Sequence, residues 1–373
     1  MVVSAIAAEC AWGLRAIRYL KDISISGSVD HPSVSVIIPA RNEGKNLEEA
    51  LQSVLRLDYP ALQIIAVNDR STDGTEEILR RLAKDAKRLE VVTVTNLPSG
   101  WLGKNFALFV GAQKATGQYL LFTDADVVMA PSTLKKAMAY LLDKKLDNVT
   151  AIPEIKLPGV WLNILVAGFT VFFYLFTRPW KLRDPKSKAV IGIGAFNLIK
   201  TAAYNLVGGH KTIAMRPDDD LKLALILKRN GFRSDVLFGA GMISVEWYDS
   251  LRGMIQGLMK NSFAGVDYSV GTVIAATAMQ LSCYLFPFAA VFVLRGRPQL
   301  FYGASALVIL ASCMDSCWRN RHNPLYGLGF PLSVVLSQYI IWKSTLTTLI
   351  NGGITWRGTH YPLKDLKAKG FKR

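Results

Sequence analysis

The sequence predicts an α/β domain with a mixed, mostly parallel sheet, followed by a region of membrane-spanning helices. Up to about residue 155, short runs rich in β-branched residues alternate with segments of helical spacing. This alternation is typical of right-handed βαβ units. In residues 272–350, by contrast, long apolar runs carry few charges. Apolar residues make up 51% of the whole chain, so their uneven distribution, and not their number, divides it into two regions.

The elements of the first region follow one another in a regular order. Apolar runs predict strands at residues 33–39, 62–67, 91–94 and 118–122. Helical spacing predicts helices at 42–55, 72–88, 103–116 and 131–145, and later at 202–207 and 219–229, with a further strand at 236–245. In sheets of this kind, ligands bind beyond the carboxyl ends of the strands.

Several other segments have the composition of helices in or on a membrane. Residues 161–177 form a run without a charge, at the lower edge of membrane-spanning length. We expect an apolar anchor at 1–30, the α/β domain at 31–250 with an interfacial helix inserted at 155–185, an amphipathic helix at 251–270, a transmembrane region at 271–352 and a basic tail at 353–373. Within the transmembrane region the candidate spans are 272–294, 300–314 and 325–350.

The formal net charge of +16 indicates anionic partners. The densest basic clusters flank apolar segments, which favours a membrane surface because cytoplasmic flanks collect Lys and Arg. No nucleic-acid-binding motif is present, and we expect no nucleic-acid partner. The two clusters are Arg178, Lys181, Arg183, Lys186 and Lys188, and then Lys364, Lys367, Lys369, Lys372 and Arg373.

Two predicted strands end in carboxylates. Asp124 and Asp126 follow the strand at 118–122, and side chains two apart on an extended chain project to the same side. Mg²⁺ typically uses one or two carboxylates together with substrate phosphates, so this pair suits a metal–diphosphate site. Asp69 follows the strand at 62–67, while Asp73 caps the next helix. Acidic pairs in turns are also common, but capping alone does not explain two acidic strand ends.

Three motifs now resemble glycosyltransferase family 2, whose members have the nucleotide-sugar-binding GT-A fold. They are IIPARNE at 37–43, VNDRSTDGT at 67–75 and FTDADV at 122–127, in the family's order and spacing. The resemblance covers about residues 33–250. It implies that Pro39, Ala40, Asn42 and Glu43 line the nucleoside pocket, that Asp69 contacts uracil, that Asp124 lies near the ribose and diphosphate, and that Asp124 and Asp126 bind Mg²⁺ or Mn²⁺.

The sequence Trp101-Leu102-Gly103-Lys104 stands before the helix at 103–116. It looks like the W-x-G-K of carotenoid- and hopanoid-associated members of the family, and this resemblance implies that Lys104 reaches a phosphate or the base of the donor. Without the resemblance, a solvated lysine at a helix start would be the default interpretation.

The run Asp218-Asp219-Asp220 opens the helix at 219–229. Carboxylates are favourable at a helix N-terminus, so capping is the simplest interpretation. In this family, however, an acidic pair before a helix supplies the general base. The resemblance therefore implies Asp220 as the base and Asp219 as the reserve choice, while we expect Asp218 to cap. A sugar or lipid hydroxyl needs such a base because it is a poor nucleophile until its proton is taken.

Further residues are predicted to bind the acceptor. The glycines of residues 192–197 permit close backbone approach, and we assign Gly194 and Asn197 to the acceptor side. His210 follows a pair of glycines and is predicted to bind sugar or acceptor, although a structural role is equally compatible with its position. Trp247 precedes the amphipathic stretch, where aromatic residues suit a membrane interface.

The C-terminal part bears on the type of transfer. Processive members of the family carry Q-x-x-R-W, whereas this chain reads Gln256-Gly257-Leu258-Met259-Lys260, which favours a single transfer over polymer synthesis. Residues 356–361 resemble the W-[KR]-G-x-x-Y ending of the carotenoid- and hopanoid-associated enzymes. We therefore expect an inverting, metal-dependent transferase that moves a sugar from a UDP-sugar to an isoprenoid-type lipid. A processive polysaccharide synthase and a non-catalytic nucleotide-sugar-binding scaffold remain the alternatives.

Topology constrains this hypothesis. We expect a multi-pass protein of the inner membrane with a cytoplasmic catalytic domain. If residues 161–177 crossed the bilayer once, Asp126 and Asp220 would lie on opposite faces, so an interfacial helix is preferable. Three full spans after residue 271 would place the basic tail outside, against the positive-inside tendency. A hairpin at Pro331 is one way to remove this conflict.

Overall fold

The computed structural model describes residues 2–25, 31–356 and 358–368, and it divides into two compact units. The sheet unit comprises Ile17–Lys156 and Pro179–Glu246. The helical unit comprises Met1–Ala16, Leu157–Arg178 and Trp247–Arg373. The predicted basic residues Arg357, Lys369, Lys372 and Arg373 lie outside the described residues.

Ten strands belong to the described part of the sheet unit, and two more form a hairpin in that of the helical unit. They are β1 (Val34–Ala40), β2 (Leu62–Asp69), β3 (Leu89–Val94), β4 (Tyr119–Phe122), β5 (Val127–Met129), β6 (Asn148–Ile152), β7 (Glu154–Lys156), β8 (Asn197–Lys200), β9 (Ser234–Phe238), β10 (Ile243–Glu246), β11 (Gly353–Trp356) and β12 (Thr359–Pro362).

The α-helices alternate with the strands in the sheet unit and follow one another in the helical unit. They are α1 (Val2–Arg15), α2 (Leu47–Leu55), α3 (Thr75–Asp85), α4 (Gly103–Lys114), α5 (Thr133–Asp143), α6 (Val160–Thr177), α7 (Thr201–Leu206), α8 (Asp219–Arg229), α9 (Leu251–Gly265), α10 (Val270–Gln280), α11 (Phe286–Val293), α12 (Arg297–Arg319), α13 (Phe330–Ile350) and α14 (Leu363–Ala368).

The central sheet has seven strands in the order β3-β2-β1-β4-β8-β6-β9. Strand β1 pairs in parallel with both β2 and β4, and only β8 runs antiparallel to its neighbours. The predicted mixed, mostly parallel sheet is therefore confirmed. Because β1, β2 and β4 are parallel neighbours, their carboxyl ends bring Ala40, Asp69 and Phe122 to one edge of the sheet.

Two predicted elements differ from the structure. The predicted strand at 236–245 is interrupted: β9 ends at Phe238 and β10 begins at Ile243, because Gly239 and Gly241 lie in a turn between them. The helix predicted to begin at residue 42 begins at Leu47, since Asn42 has a φ of 54° that no α-helix contains. Residues 41–46 instead form the loop after β1.

Helix α4 lies against the middle of the sheet at a glycine. A Cβ on Gly111 would lie 2.5 Å from Cγ2 of Ile37 and 3.1 Å from Cγ2 of Val67. Both neighbours are fully buried, in β1 and β2. The absence of a side chain at Gly111 thus sets how closely α4 approaches the strands whose ends form the site described below.

In the helical unit, the π-helical residues Leu281–Leu285 join α10 and α11 into one helix over Val270–Val293. Four helical stretches among the described residues are long and apolar enough to cross a membrane: Val160–Lys181, Val270–Val293, Arg297–Arg319 and Pro324–Ile350. The candidate span predicted at 300–314 is thus only the middle of a longer helix.

Proline 331 does not break the last helix. It lies in the first turn of α13, where the missing backbone N–H costs nothing because the first four N–H groups of a helix have no intrahelical partner. The hairpin considered at this position is therefore wrong, and α13 is continuous from Phe330 to Ile350.

Side-chain contacts set the directions of the last helices. Thr277 and Gln280 on α10 bond to Gln338 on α13, and farther along the same pair of helices Tyr284 contacts Phe330. Helices α10 and α13 are therefore antiparallel. Helix α12 is antiparallel to α11, because Gln299 bonds to the carbonyl of Val291 and Tyr302 contacts Phe286.

Gly111→Ala tests the packing of α4 on the sheet. Alanine normally favours a helix over glycine, but here the new methyl group collides with Ile37, so we expect the free energy of unfolding to fall by about 1–3 kcal/mol. The control is Gly74→Ala, where nothing lies within 4 Å of the added Cβ. A Gly111→Ala protein whose thermal unfolding matches or exceeds the wild type would contradict this packing.

Candidate active site

Two loops at the sheet edge are tied together by Asn42. Its side-chain oxygen accepts the backbone N–H of Thr72 at 2.8 Å, and its own backbone N–H donates to Ser71 Oγ at 3.1 Å. Nearby, the backbone N–H of Glu43 donates to Thr75 Oγ1 at 2.9 Å. Asn42 thus holds the loops after β1 and β2 in a fixed relation.

The remaining residues of the predicted nucleoside pocket lie at the ends of β1 and β2. Pro39 and Ala40 close β1 opposite Val67 and Asn68 of β2, with Pro39 half-buried and Ala40 buried. Asp73 caps as predicted, because its carboxylate accepts the backbone N–H groups of Thr75 and Gly44. The pocket assignment of Pro39, Ala40, Asn42 and Glu43 stays a prediction.

Asp69 is buried at the end of β2 and is held by two arginines. Its carboxylate receives two hydrogen bonds from Arg70, at 2.7 and 3.1 Å, and Arg41 Nη1 lies 3.6 Å away. A Cβ on Gly103 would lie 2.5 Å from Asp69 Oδ2 and 2.9 Å from Arg70 Nη2. The glycine of W-x-G-K therefore lets the start of α4 approach this acidic strand end.

One lysine joins the two acidic motifs. Lys104 Nζ lies 2.7 Å from Asp124 Oδ1 and 3.8 Å from Asp219 Oδ2. Asp124 follows β4 and Asp219 opens α8, so the ammonium group connects segments that are distant in the sequence. We call Lys104, Asp124, Asp219 and Asp220 the lysine–carboxylate cluster.

Asp220 is oriented by backbone N–H groups. Its Oδ2 accepts from Gly194 at 2.9 Å and its Oδ1 accepts from Leu221 at 2.7 Å. The chain passes so close that a Cβ on Gly192 would lie 2.0 Å from the carbonyl oxygen of Asp220, and one on Gly194 would lie 2.8 Å from Asp124 Oδ2. The two glycines are thus needed for the loop at 192–194 to lie between Asp124 and Asp220.

The segment before α8 is anchored to the start of α4. Asn105 is buried and its Nδ2 donates to the carbonyls of Ile213 and Arg216, both at 2.9 Å, with that of Ala214 at 3.2 Å. The backbone N–H of Leu102 also donates to Ala214 at 2.8 Å. Lys104 lies between these two anchors, so the same contacts that hold α4 also place Asp219 near its ammonium group.

Asp218 does not cap α8 with its side chain, so that prediction is wrong. It occupies the N-cap position, but its carboxylate is taken by the buried Arg216, at 2.9 and 3.0 Å, and Lys222 Nζ lies 3.7 Å away. A buried cation beside it attracts the carboxylate more strongly than a backbone N–H does.

The lysine–carboxylate cluster lines a cavity in the sheet unit. Its polar lining groups come from five different segments of the chain. Its lining consists of Lys104, Leu108, Phe122, Thr123, Asp124, Gly194, Asn197, His210, Asp219, Asp220 and Leu223.

The charges of this cavity shift one another's pKa values. Burial raises the pKa of Asp220 to about 7, with Asp219 adding to the shift and Lys104 opposing it. Burial also raises the pKa of Asp126 to about 7, reinforced by Asp124 and Glu43. Although burial alone would lower the pKa of Lys104, the neighbouring carboxylates raise it, so Lys104 stays charged. A poised carboxylate such as Asp220 suits a general base at neutral pH.

Asp124 and Asp126 are suited to a divalent cation whose coordination shell is completed by substrate phosphates. Among the described residues, no three His, Cys, Asp or Glu side chains form a ready-made metal site. Two carboxylates are nevertheless the usual protein share when Mg²⁺ is bound together with substrate phosphates. The raised pKa of Asp126, caused by burial and then by Asp124 and Glu43, marks a place where a cation would relieve repulsion.

The predicted acceptor residues fall into two groups. Gly194, Asn197 and His210 line the cavity, and Asn197 is held there by Asn148, whose Nδ2 donates to Asn197 Oδ1 at 2.7 Å. Trp247 belongs to the helical unit, where its ring lies 5.2 Å from that of Phe169. The structure therefore brings the first three together with Asp220.

Several residues that shape the site were not predicted from the sequence. Asn105, Arg216 and Tyr204 are all buried, and each reaches the site through tertiary hydrogen bonds. The sequence offers one signal for such residues, namely a polar side chain at a helix position that is expected to be buried. Only Asn105, in α4, gives this signal.

Asn105→Ala tests how the acidic segment is held. We expect a loss of about 1–3 kcal/mol in the free energy of unfolding, because buried carbonyl groups lose their donor. Gln63→Ala, in which the removed amide is only partly buried, is the control. Chemical denaturation measures both variants, and wild-type stability in Asn105→Ala would show that residues 213–216 are anchored by other groups.

The family model described as glycosyl transferase family 2 matches residues 35–205. A 4,4'-diaponeurosporenoate glycosyltransferase of Staphylococcus aureus (strain USA300) is 28% identical, over 90% of this chain and 89% of that protein. One of Staphylococcus haemolyticus is 25% identical, over 68% of this chain and 70% of its own length.

Among solved structures, a mannosyltransferase from Pyrobaculum calidifontis, in complex with GDP-Man and Mn²⁺, is similar at 21% identity and a TM-score of 0.49. The match covers 86% of this chain and 99% of the mannosyltransferase chain. The sheet order and the family match agree with the expected GT-A fold. The matched residues contain β1 to β8 and both strand-end motifs, so over residues 35–205 the chain carries a glycosyl transferase family 2 domain.

Proposed function

We propose that the chain transfers a sugar, with inversion, from a UDP-sugar to a hydroxyl group of an isoprenoid-type lipid at the cytoplasmic face of the inner membrane. The observation that carries the proposal is that Lys104 joins Asp124 to Asp219, beside Asp220, in one cavity. The relatives are named for a diaponeurosporenoate, a carboxylate, and this supports the isoprenoid-type lipid class of the acceptor.

The donor occupies the strand-end side of the cavity in this proposal. Asp124 and Asp126 would hold Mg²⁺ or Mn²⁺, which acts as a Lewis acid on the departing diphosphate when bound. Lys104 is half-buried and charged, and its ammonium group lies where it can pair with a phosphate oxygen. Asp69, already oriented by Arg70, offers its carboxylate to the uracil.

The acceptor reacts on the side of Asp220. Asp220 takes the proton of the lipid hydroxyl while that oxygen forms a bond to the anomeric carbon of the sugar. The bond from that carbon to the diphosphate breaks, and UDP leaves with the bonding electrons. The N–H groups of Gly194 and Leu221 hold the carboxylate in one orientation, so its remaining lone pairs can face the acceptor. Inversion follows by analogy with the fold.

The alternatives have less support. A processive synthase would need a means of holding a growing polymer, and the Arg-Trp pair typical of such members is missing from residues 256–260. A non-catalytic scaffold does not account for a buried carboxylate whose pKa is raised to about 7 by burial and by Asp219. Such a group costs stability and is expected where proton transfer takes place.

The helix directions support one membrane topology. Because α12 and α13 run antiparallel to the helix Val270–Val293, both end on the side where Val270 begins. Phe330, the first residue of α13, contacts Tyr284, which lies about 21 Å along the helix from Val270 at 1.5 Å per residue. Residues 324–329 then return into the membrane, and α13 carries the chain back to its starting face.

In this arrangement the described part of the C-terminal tail, with Lys364 and Lys367, would lie on the face where α9 lies. Ser344 on α13 bonds to the carbonyl of Met259 on α9, and Lys260 lies 4.2 Å above the ring of Trp356 in β11. Helix α9 begins five residues after β10 ends, so it follows the sheet unit directly in the chain. The basic tail then obeys the positive-inside tendency.

Helix α6 does not cross the bilayer alone in this proposal. The residues on both of its flanks belong to the sheet unit, whereas a single crossing would separate them onto opposite faces. It packs within the helical unit, where Ser333 on α13 donates to the carbonyl of Ile164 at 2.6 Å and Tyr174 donates to Asn320 at 2.8 Å. We therefore place both flanks of α6 on the cytoplasmic side.

Asp220→Asn tests the general base. We expect detergent-solubilised protein with Mn²⁺ to hydrolyse UDP-glucose or UDP-N-acetylglucosamine, and the variant to turn over at least about 100-fold more slowly, because proton transfer contributes on that scale. Its affinity for UDP should stay within about twofold, since the base faces the acceptor. The control is Asp143→Asn, an exposed carboxylate paired with Lys144. Unchanged turnover in Asp220→Asn would remove the base from this account.

The topology is tested by labelling single cysteines. In a variant with the four native cysteines replaced by alanine, Arg295→Cys lies in the turn between α11 and α12, and Lys367→Cys lies on α14; both side chains are exposed. A membrane-impermeant maleimide should label Arg295→Cys in intact spheroplasts and Lys367→Cys only after permeabilisation. Labelling of Lys367→Cys in intact spheroplasts would place the tail outside.

A further inference from the structure

Tyr204 and His210 form a buried pair at the edge of the cavity. The Tyr204 hydroxyl accepts the backbone N–H of His210 at 3.1 Å and lies 2.9 Å from the ring nitrogen Nδ1 of the same residue. The edge of the imidazole meets the ring of Phe122, with 4.8 Å between centroids. His210 lines the cavity, whereas Tyr204 stands behind it. The pair is therefore buried in the wall of the cavity and does not lie on the protein surface.

The two glycines before His210 allow Tyr204 to approach it. Gly209 has a φ of 51°, and a Cβ there would lie 2.2 Å from Cζ of Tyr204. Gly208 likewise has a positive φ, of 76°. Left-handed backbone is readily accessible only to glycine, and any side chain at 209 would push the tyrosine ring away. The Gly-Gly-His sequence is thus explained by the approach of Tyr204 to His210.

The hydrogen bonds decide which ring nitrogen carries the hydrogen. The Tyr204 hydroxyl already accepts from the backbone of His210, and its own hydrogen needs an acceptor because the group is buried. Within residues 31–356, the acceptor that lies in range is Nδ1 of His210. Nδ1 therefore has no hydrogen, and Nε2 carries it. In the same part of the chain, no protein group is found to accept from Nε2.

His210 is also neutral. Burial lowers the pKa of His210 to about 3, and the charge of Lys104 lowers it further. The imidazole therefore acts neither as a general base for the reaction nor as a cation for a phosphate. What it offers to the cavity is one fixed N–H donor.

We propose that Tyr204 is a positioning residue that holds His210 as the Nε2–H tautomer, and that this N–H donates a hydrogen bond to an oxygen of the donor's sugar. The inference rests on the proposed function and deepens it. Lys104 with Asp124 occupies the phosphate side of the cavity, and Asp220 occupies the acceptor side. A sugar about to be transferred lies between a phosphate and a base, which is the space that His210 lines together with Asn197.

The test compares the binding of UDP with that of UDP-glucose by calorimetry, with Mn²⁺ present, in detergent-solubilised full-length protein. The wild type should bind UDP-glucose more tightly than UDP. His210→Phe should weaken UDP-glucose binding roughly tenfold, the scale of one lost hydrogen bond, with UDP affinity unchanged. His210→Gln, whose amide nitrogen can replace Nε2, should restore much of the difference. Tyr204→Phe should fall between the wild type and His210→Phe.

A merely structural role is excluded by two further measurements. Tyr59→Phe removes another buried tyrosine hydroxyl, one that donates to the carbonyl of Pro32, and should leave both affinities unchanged. The chain has four histidines, so selective ¹⁵N labelling can assign the His210 ring. Its Nδ1 signal should be that of an unprotonated nitrogen in the wild type and should shift in Tyr204→Phe.

The outcomes separate the two proposals. Absence of any UDP binding would end the proposed function itself. Equal binding of UDP and UDP-glucose by the wild type, or equal losses for both ligands in His210→Phe, would overturn the sugar contact alone. A protonated Nδ1 in the wild type would overturn the role of Tyr204.

Discussion

The ammonium group of Lys104 is the contact on which the site depends. Asp124 and Asp219 are 95 positions apart in the chain, and their like charges would repel each other without a cation between them. Lys104 supplies that cation at the start of α4. Gly103, Asn105 and Gly111 then fix α4 against Asp69, against residues 213–216 and against the sheet. The W-x-G-K sequence therefore has a structural role in the site.

The order of the first half of the chain was predictable from the sequence. Strands β1 to β4 and helix α8 lie close to the predicted residues, because short β-branched runs and helical periodicity are local signals. The strands β5 to β8 were not predicted, since they are short and find partners only in the folded sheet. The sequence predicts β9 and β10 as one strand, because apolar residues lie on both sides of the short glycine-containing turn that separates them.

The roles of single polar residues were less accessible. Capping by Asp218 was the natural expectation from its place before a helix, but the fully buried Arg216 two positions earlier takes its carboxylate. Tyr204 and Asn105 are ordinary residues of helices until tertiary contacts give them partners. In the helical unit, hydropathy predicts the apolar helices, whereas their directions depend on contacts such as that between Tyr284 and Phe330, which no local pattern encodes.

The central claim is that Asp124 and the pair Asp219 and Asp220 line one cavity beside the proposed cation site, and metal-directed cleavage tests it most directly. Fe²⁺ in place of Mg²⁺, with UDP, ascorbate and peroxide, cuts the backbone near the place where the metal binds, and mass spectrometry maps the cuts. The account predicts two groups of cuts, one at residues 123–127 and one at 192–194 and 218–220, both suppressed by excess Mg²⁺. Cuts confined to one of the two motifs, or lying elsewhere in the chain, would contradict it.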